Sequence, residues 1–438
     1  MNSKFLYRKV LPLTRRTFSI NSIINHNHSC KLLVVGGGTG GCSVAAKFAK
    51  KLKKNELFVL EPSEHHYYQP LFTLIGAGVG TVKGARRNEI EVLPENCTWL
   101  KDNAVEFDLK NNQVKTSKGD TIQYEFLLVA VGLETRYDKI PGLLEALSLP
   151  SGVCSNYSAK YVNKTYEVLQ NLKDGNAIFT FPNSPVKCPG APQKICYLTE
   201  HYLRKKGIRK DVKITYNTSL GVIFGVKTYA DALWKICKER GINVNLKTNL
   251  KEIDVFNKEA TFENLNIPEE LTKVKFSMLH VTPPMCTPEV VGNNKELSNA
   301  EGFVEVEKNT LQHCRYKNVF AIGDCSSTPN SKTAAAAAAQ SNVVYHNLSA
   351  VMNGSNLSLA YDGYASCPLI TGYNSCILAE FDYNLSPLET FPFRQDRELL
   401  SMYLLKKNFM PSLYWHFMLK GNWNGPATFR KLMHFDFK

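Results

Sequence analysis

The sequence predicts an α/β protein of two Rossmann-like dinucleotide-binding units followed by a helical C-terminal segment, and three observations predict it. Residues 31–61 read as strand, glycine turn, helix, strand. The alternation of strand and helix starts again at Asn176, and an apolar strand at 319–322 runs into a helix opened by six consecutive alanines, 334–339. Strands alternating with helices at this spacing imply parallel sheets covered on both faces.

The first stretch, KLLVVGGGTGGCSVAAKFAKKLKKNELFVLE, organises the rest. Leu32 to Val35 is an apolar run that stops at Gly36, and Gly36, Gly38 and Gly41 then take the GxGxxG spacing. The first glycine permits the tight turn, the second lets backbone N–H groups approach a pyrophosphate, and the third lets the helix pack on the strand. Thr39 and Gly40 lie between them, where the helix N-terminus faces the anion. A second apolar strand, 57–60, ends in Glu61, twenty residues beyond Gly41. A carboxylate there accepts from a ribose 2′-hydroxyl and repels a 2′-phosphate, which favours FAD or NAD over NADP.

Residues 62–80 carry Pro62, a His-His-Tyr-Tyr cluster and Pro70, and read as a loop folded against a flat apolar group, with Gln69 as a hydrogen-bonding residue. His65 and His66 read as structural. Residues 97–131 read as short strands joined by turns and ending in the apolar strand 126–131, followed by Gly132. Val105 falls where the first of these strands brings its backbone beside an adenine. After the connection 138–150, the second unit predicts strands at 177–181, 212–216, 243–246 and 274–281, the last closed by Pro283 and Pro284, with helices over 189–205 and 229–240. Its chemistry differs from the first unit's. Where a second glycine turn should follow the first strand, the chain has PNSPVKCPGAPQK, and Asn217 stands where an acid or arginine should end the second strand. The second unit therefore lacks a nicotinamide fingerprint, and Cys188 sits in place of the turn. Pro189 suits a first helical position, which puts the Cys188 sulfur at a helix N-terminus, a setting that lowers a thiol pKa.

At the strand 319–322, Gly323 and Asp324 follow the strand end, where a carboxylate suits a ribitol hydroxyl. The alanine helix has almost no side-chain bulk. It brings its N-terminus, with Lys332, Thr333 and Ala334, against a ring system and favours negative charge there. These units divide the chain into 30–137 with 300–385 as a discontinuous FAD-binding domain, 138–299 as the second Rossmann-like domain, and 386–438 as C-terminal helices.

A net charge of +14 asks for an acidic partner. The middle of the chain has no basic strip with interleaved aromatics, which argues against nucleic acid and for acidic lipid headgroups. Residues 1–55 contain no Asp or Glu, and 1–29 have the Arg-rich, acid-poor composition of a mitochondrial transit peptide. Residues 398–438 interleave Tyr414, Trp415, Phe417, Trp423 and Phe429 with Lys406, Lys407, Lys420, Arg430 and Lys431. The apolar run 408–419 is about half the roughly twenty residues of a spanning helix, so these helices suit the lipid interface. Twelve scattered cysteines with no CxxC and no zinc-like spacing form neither a disulfide scaffold nor a metal site.

Taken together, VVGGGTGG, LLVAVG and VFAIGD resemble the flavoproteins related to the disulfide reductases. HHYYQPLFTLIGAG, NAIFTFPNSPVKCPGAPQK, NTSLGVIFGVKTYADAL, LHVTPPM, SKTAAA, SCPLITGYN and FPF are similar to the mitochondrial sulfide:quinone oxidoreductase family, from about Lys31 to the C-terminus. The resemblance implies FAD as cofactor, hydrogen sulfide and ubiquinone as substrates, and Cys188 and Cys367 as the redox pair. The residues alone leave Cys376, Cys196 and Cys325 as competitors, and Cys154 reads as structural. The resemblance further implies a disulfide beside the flavin. Hydrosulfide opens it, Cys188 faces the flavin, and Cys367 carries a persulfide to a thiol or sulfite acceptor such as glutathione. It also implies a peripheral place on the matrix side of the mitochondrial inner membrane, and it leaves the oligomeric state open. The competing readings are a type II NADH:quinone oxidoreductase, which requires the missing second turn, and a non-catalytic FAD-binding membrane scaffold.

Overall fold

The computed structural model describes residues 27–435. The expected leader lies outside the described residues up to residue 26. The first strand, β1 (Asn27–Val35), takes in its last three positions, because Asn27 to Ser29 pair with Thr121 to Gln123.

The first unit continues with α1 (Thr39–Phe48), β2 (Leu57–Leu60), β3 (Thr98–Leu100), β4 (Ala104–Asp108), β5 (Gln113–Thr116) and β6 (Thr121–Val129). The apolar runs of β1 and β2 are parallel neighbours, Leu32 opposite Leu57 through Val35 opposite Leu60, and all four pairs are buried. Continuous burial is what a sheet covered on both faces demands. The order is β3-β2-β1-β6-β5-β4.

The second unit holds β7 (Val153–Cys154), β8 (Gly175–Phe181), α2 (Ala191–Lys205), β9 (Val212–Thr218), α3 (Lys227–Glu239) and β10 (Ile242–Asn245). An antiparallel sheet follows, β11 (Thr248–Asp254), β12 (Glu259–Asn264) and β13 (Ile267–Lys275), and then β14 (Met278–His280). The parallel sheet runs β7-β14-β8-β9-β10. The single strand expected over 274–281 is therefore two. Val274 and Lys275 close an exposed strand of the antiparallel sheet, and Met278 to His280 enter the parallel one beside Ala177 to Phe179. Phe276, buried between them, turns the chain from one sheet to the other. The helix expected from Pro189 begins at Ala191, with Gly190 as its cap and Pro192 in its first turn.

β15 (Val319–Ala321) returns to the first sheet beside β6, and α4 (Ala334–Met352) packs on α1. The side chain of Thr333 caps α4 by accepting from Ala336 N–H at 3.1 Å. β16 (Ala365–Gly372) pairs only with β17 (Ser375–Phe381). This hairpin packs into the second unit's core beside α2, while Val291 and Leu297 pack with the first unit. The domain limits expected near 299 and 385 thus cross both cores. The chain then runs helically from Leu400 to Met418 through alternating α and π segments, turns, and closes with α5 (Ala427–Met433). No described helix is long and apolar enough to cross a membrane.

Candidate functional site

Between the two units and under the C-terminal helices lies a cavity of about 740 Å³. One end is the glycine turn. Gly36 has φ +103°, and a Cβ there would lie 2.5 Å from the Ala130 carbonyl oxygen; at Gly41 a Cβ would lie 1.8 Å from the Gly36 oxygen. These two glycines hold helix and strand together, whereas Gly38, Gly132 and Gly323 have open space where a Cβ would stand. Gly36, Gly38, Thr39, Gly40, Glu61, Gln69, Gly132, Asp324, Lys332, Thr333 and Ala334 all line the cavity. Gly41 does its work behind the wall. Val105 lies on β4, is 53% exposed, and is not part of the lining.

Glu61 accepts from Gly37 N–H at 2.6 Å with one oxygen and from Ser63 N–H at 2.7 Å with the other, and burial raises its pKa. Asp324 accepts no hydrogen bond from a described residue, and burial raises its pKa against the charges of Lys187 and Lys332. Lys332 donates to the Ser326 and Thr328 carbonyls at 2.6 and 3.0 Å, so its ammonium is tethered at the mouth of α4. The amide of Asn156 is buried in the same wall with no partner for either atom.

At the other end stand the cysteines. Cys188 is held in the left-handed region, φ +50°, which is strained for a residue with a side chain and persists where surroundings over-determine it. Here its N–H donates to the Lys332 carbonyl at 2.7 Å, and its own carbonyl accepts from Ala191 N–H at 2.9 Å and from the Tyr157 hydroxyl at 3.3 Å. Cys188 is thereby tied to the residues that open α4, although 144 residues separate them. Cys367, on β16, is buried, and its sulfur would lie 2.5 Å from a Cβ added to Gly190. Glycine at 190 is what lets the second sulfur come up to the first. Both thiols are free, and each lies close enough to shift the other's ionisation.

The hydrogen bond from Cys367 pulls the Cys188 pKa well below the usual thiol value. Burial opposes it, and the charges of Lys194 and Lys406 add to the lowering. Lys194 Nζ stands 3.4 Å from Cys188 Sγ. Lys406, buried in the π-helical segment Leu405–Phe409, is pushed down to about 8 by burial and then by Lys194. The competing cysteines behave differently. Burial pushes Cys376 and Cys154 up to about 12 and Cys325 to about 11, and raises Cys196 well above the usual value. Sequence reasoning missed Lys194 and gave Lys406 to the lipid face. Lys194 carried a signal, since a cation in the first turn of a helix opposes the macrodipole unless an anion lies nearby.

The C-terminal aromatics divide. Tyr414 and Trp415, expected at lipid, are 3% and 8% exposed and pack on Tyr68 and His66, because the helix needs an apolar face against the first unit. Tyr414 Oη lies 2.8 Å from Thr39 Oγ1 and 2.5 Å from His66 Nε2, and His66 Nδ1 lies 3.4 Å from Glu89. Cys42, His66 and Glu89 bring their donor atoms within 4.8 Å of one another, a set able to hold a metal ion. In this structure Cys42 donates to Glu89 at 3.5 Å, Glu89 lies against His66, and His66 meets Tyr414, a chain of polar contacts that fastens the C-terminal helix to the glycine turn.

Residues 30–176 match the family model of pyridine nucleotide-disulphide oxidoreductases. The mitochondrial sulfide:quinone oxidoreductase of Mus musculus is 48% identical over 423 residues, 97% of this chain and 93% of that protein. Among solved structures, a chain of the Tetrahymena thermophila mitochondrial ATP synthase superposes with TM-score 0.81 at 22% identity, covering 91% of this chain and 98% of its own. The Aquifex aeolicus sulfide:quinone oxidoreductase superposes with TM-score 0.76 at 21% identity, covering 93% and 96%. The cofactor of such proteins is FAD. The open glycine faces, the unpartnered Asp324 carboxylate and the orphaned Asn156 amide fit a dinucleotide laid from Glu61 to the cysteines.

Proposed function

The chain belongs to the mitochondrial sulfide:quinone oxidoreductase family, and from that premise we propose that Cys188 and Cys367 are the pair through which it oxidises hydrogen sulfide and reduces quinone. The observation that carries this reading is the Cys367 sulfur brought over Gly190, two residues from Cys188, with Lys194 on the Cys188 sulfur and Cys188 alone among twelve cysteines held toward its thiolate.

Hydrosulfide attacks Cys367 Sγ of the disulfide. An S–S bond forms to Cys367, the Cys188–Cys367 bond breaks, and Cys188 leaves as the thiolate that Lys194 stabilises. Cys367 then carries the persulfide. A thiol or sulfite acceptor, glutathione being one of suitable chemistry, takes the outer sulfur and leaves Cys367 as thiolate. Closing the two thiolates to the disulfide releases two electrons. Bound FAD, held by Gly36, Gly38, Glu61, Gly132 and Asp324, supplies the two-electron acceptor for that closure and the donor to quinone. Around these steps the chain itself excludes water with Tyr157, Leu405 and Met410 and holds the charges of Lys194 and Lys406 close to the sulfur.

Ubiquinone is apolar, and the cavity wall toward the C-terminal helices fits it with Phe391, Phe409, Leu413 and Phe429. Leu400, Leu404, Phe417 and Leu432 are roughly half exposed on these helices beside Lys407 and Lys431, an amphipathic face suited to anionic lipid. This supports peripheral seating on a membrane, and with the mitochondrial naming of the relatives we place it on the mitochondrial inner membrane, matrix side. An NADH:quinone reading is not favoured, since β8 is followed by Pro182 and no glycine turn.

The test is anaerobic titration of the holoenzyme with sulfide, following flavin absorbance in wild type, Cys188→Ser and Cys367→Ser. Bleaching in wild type, reversed by quinone and lost in both variants, is expected. Bleaching by NADH and not by sulfide overturns the reading, and an FAD-loaded protein inert to both points to the scaffold.

A further inference from the structure

Cys42, His66 and Glu89 stand behind the cavity wall, line none of it, and take no part in the sulfur chemistry. Cys42 lies in α1, His66 in the short strand His65–Tyr67, and Glu89 opens the short helix Glu89–Val92, so no sequence spacing announces the group. Glu89 is 2% exposed, and among the described residues no lysine or arginine pairs with it. Its oxygens face Cys42 Sγ at 3.5 Å and His66 Nδ1 at 3.4 Å. The thiol has a single proton, and the Gly37 carbonyl, 2.8 Å away, competes for it. The imidazole is engaged at its other nitrogen by Tyr414 Oη at 2.5 Å. Glu61 brings a second carboxylate side chain to the same place, since a Cβ on Gly37 would lie 2.7 Å from Glu89 Oε1 and 2.7 Å from Glu61 Cγ. A buried carboxylate with so weak a donor set is costly unless a countercharge joins it. The arrangement asks for a cation.

We propose that Cys42, His66 and Glu89 bind one divalent transition-metal ion, zinc by the chemistry of the set, as a closed structural site behind the glycine turn. A thiolate beside an imidazole disfavours calcium and magnesium, which take oxygen ligands. On one tetrahedral zinc, sulfur at about 2.3 Å and nitrogen or oxygen at about 2.0–2.2 Å stand about 3.4–3.6 Å apart. The Cys42–Glu89 and His66–Glu89 separations already have that length, and all three donor atoms lie within 4.8 Å of one another. The Gly37 carbonyl beside the sulfur, or the second Glu89 oxygen, completes four ligands. As the metal–sulfur bond forms, the Cys42 proton leaves to solvent. Thiolate and carboxylate then balance the two positive charges, and the buried set becomes neutral. His66 Nε2–H donates to Tyr414 Oη, and Tyr414 donates to Thr39 Oγ1, which fixes the ring as the partner of a metal-bound histidine does. The ion joins α1 to the strand and helix that carry its other ligands, and through Tyr414 it holds the C-terminal helix. Nothing in this inference depends on the roles of Cys188 and Cys367.

The experiment measures the metal content of the desalted holoenzyme by plasma mass spectrometry for wild type, Cys42→Ala and Glu89→Gln, with Cys97→Ala, a buried cysteine outside the set, as control. The same proteins, made in zinc-depleted medium supplied with cobalt, are read by near-ultraviolet absorption, where cobalt bound to a thiolate gives a charge-transfer band. The expected result is about one zinc per chain in wild type and Cys97→Ala, falling at least about fivefold in Cys42→Ala and Glu89→Gln. The cobalt band is expected in wild type and absent in Cys42→Ala. Zinc retained in full by Cys42→Ala overturns the proposal, because the ion then sits elsewhere. A wild type free of zinc also overturns it, and leaves Glu89 paired with a protonated His66 alone. If the variants do not fold, the wild-type cobalt spectrum decides, and a spectrum without the thiolate band overturns the proposal.

Discussion

Replacing Lys194 by methionine isolates the charge that holds Cys188 ionised. The ammonium lies 3.4 Å from the sulfur, and both groups are enclosed. At an effective dielectric constant of about 20, the attraction is 332/(20 × 3.4), about 5 kcal/mol, or roughly three and a half pKa units. Lys406 and the Cys367 hydrogen bond remain, and water entering beside methionine recovers part of the loss, so the expected rise is about two units. The sign follows from which form the lysine favours. It stabilises the thiolate, so its removal makes the sulfur hold its proton to higher pH and removes thiolate first at the acid end. The assay is a pH titration of ultraviolet thiolate absorbance in the dithiol protein, with Cys188→Ser as the blank. Other buried thiols such as Cys376 and Cys154 stay silent because burial places them near 12. A midpoint shifted by less than about half a unit refutes the claim that Lys194 sets the ionisation of Cys188.

Gly190→Ala places a Cβ 2.5 Å from Cys367 Sγ and 2.8 Å from Leu369 Cδ2, so the second sulfur must retreat; sulfide turnover is expected to fall at least about tenfold with FAD content unchanged, and unchanged turnover contradicts the geometry. Burial lowers His280 to about 3 from 6.5, and its Nε2 accepts from Asn156 N–H at 3.1 Å. The folded protein keeps it neutral while the unfolded chain takes up a proton, so stability is unaffected above 6.5 and falls by about 1.4 kcal/mol per pH unit from 6.5 down toward 3. His280→Gln, which keeps an acceptor, is expected to flatten that slope in urea unfolding followed against pH, and an equal slope counts against it. Leu400→Glu with Leu404→Glu is expected to reduce co-sedimentation with anionic vesicles several-fold while leaving sulfide-driven bleaching intact, and undiminished binding removes these residues from the lipid face.

The nucleotide end was legible because its chemistry is local. Four apolar residues, three glycines at fixed spacing and an acid at the next strand end lie within 31 residues, and each does in the structure what its type allows. Gly36 and Gly41 make the close approaches, and Gly38 stays open. The second unit was legible in its strands and not in its ends. Val274 to Val281 reads as one apolar run, but strand pairing at long range assigns its halves to different sheets. Hydrophobicity alone carries no information on which sheet a residue joins. The helix start was misplaced by two residues because Pro189 and Pro192 both suit a first turn, and the left-handed Cys188 takes up the turn that Pro189 was expected to begin.

The sulfur end was less legible because its charges arrive from two distant segments, Lys194 on α2 and Lys406 on the C-terminal helix. Lys406 and Lys407 are adjacent in sequence and were read together as a basic face for lipid, yet the π-helical turn buries one and leaves the other out. Extra width in a helical turn is a frequent mark of a functional site, and no residue type announces it. The same helix turns Tyr414 inward to Thr39 and His66, so the segment that carries the proposed lipid face is hydrogen-bonded to the glycine turn proposed to take the pyrophosphate. Lys406 on that helix then stands over Tyr68 and near Cys188. Seating of the C-terminal helix and the cationic character of the sulfur pocket are therefore one structural fact. A change that unseats the helix, such as Tyr414→Phe with His66→Phe, removes the two hydrogen bonds that fix it and takes the Lys406 charge away from the sulfur. Its expected signature is a higher Cys188 alkylation midpoint with the glycine turn intact. A midpoint unchanged in a protein whose vesicle binding is altered separates the two roles and shows that Lys406 is held by its own turn alone.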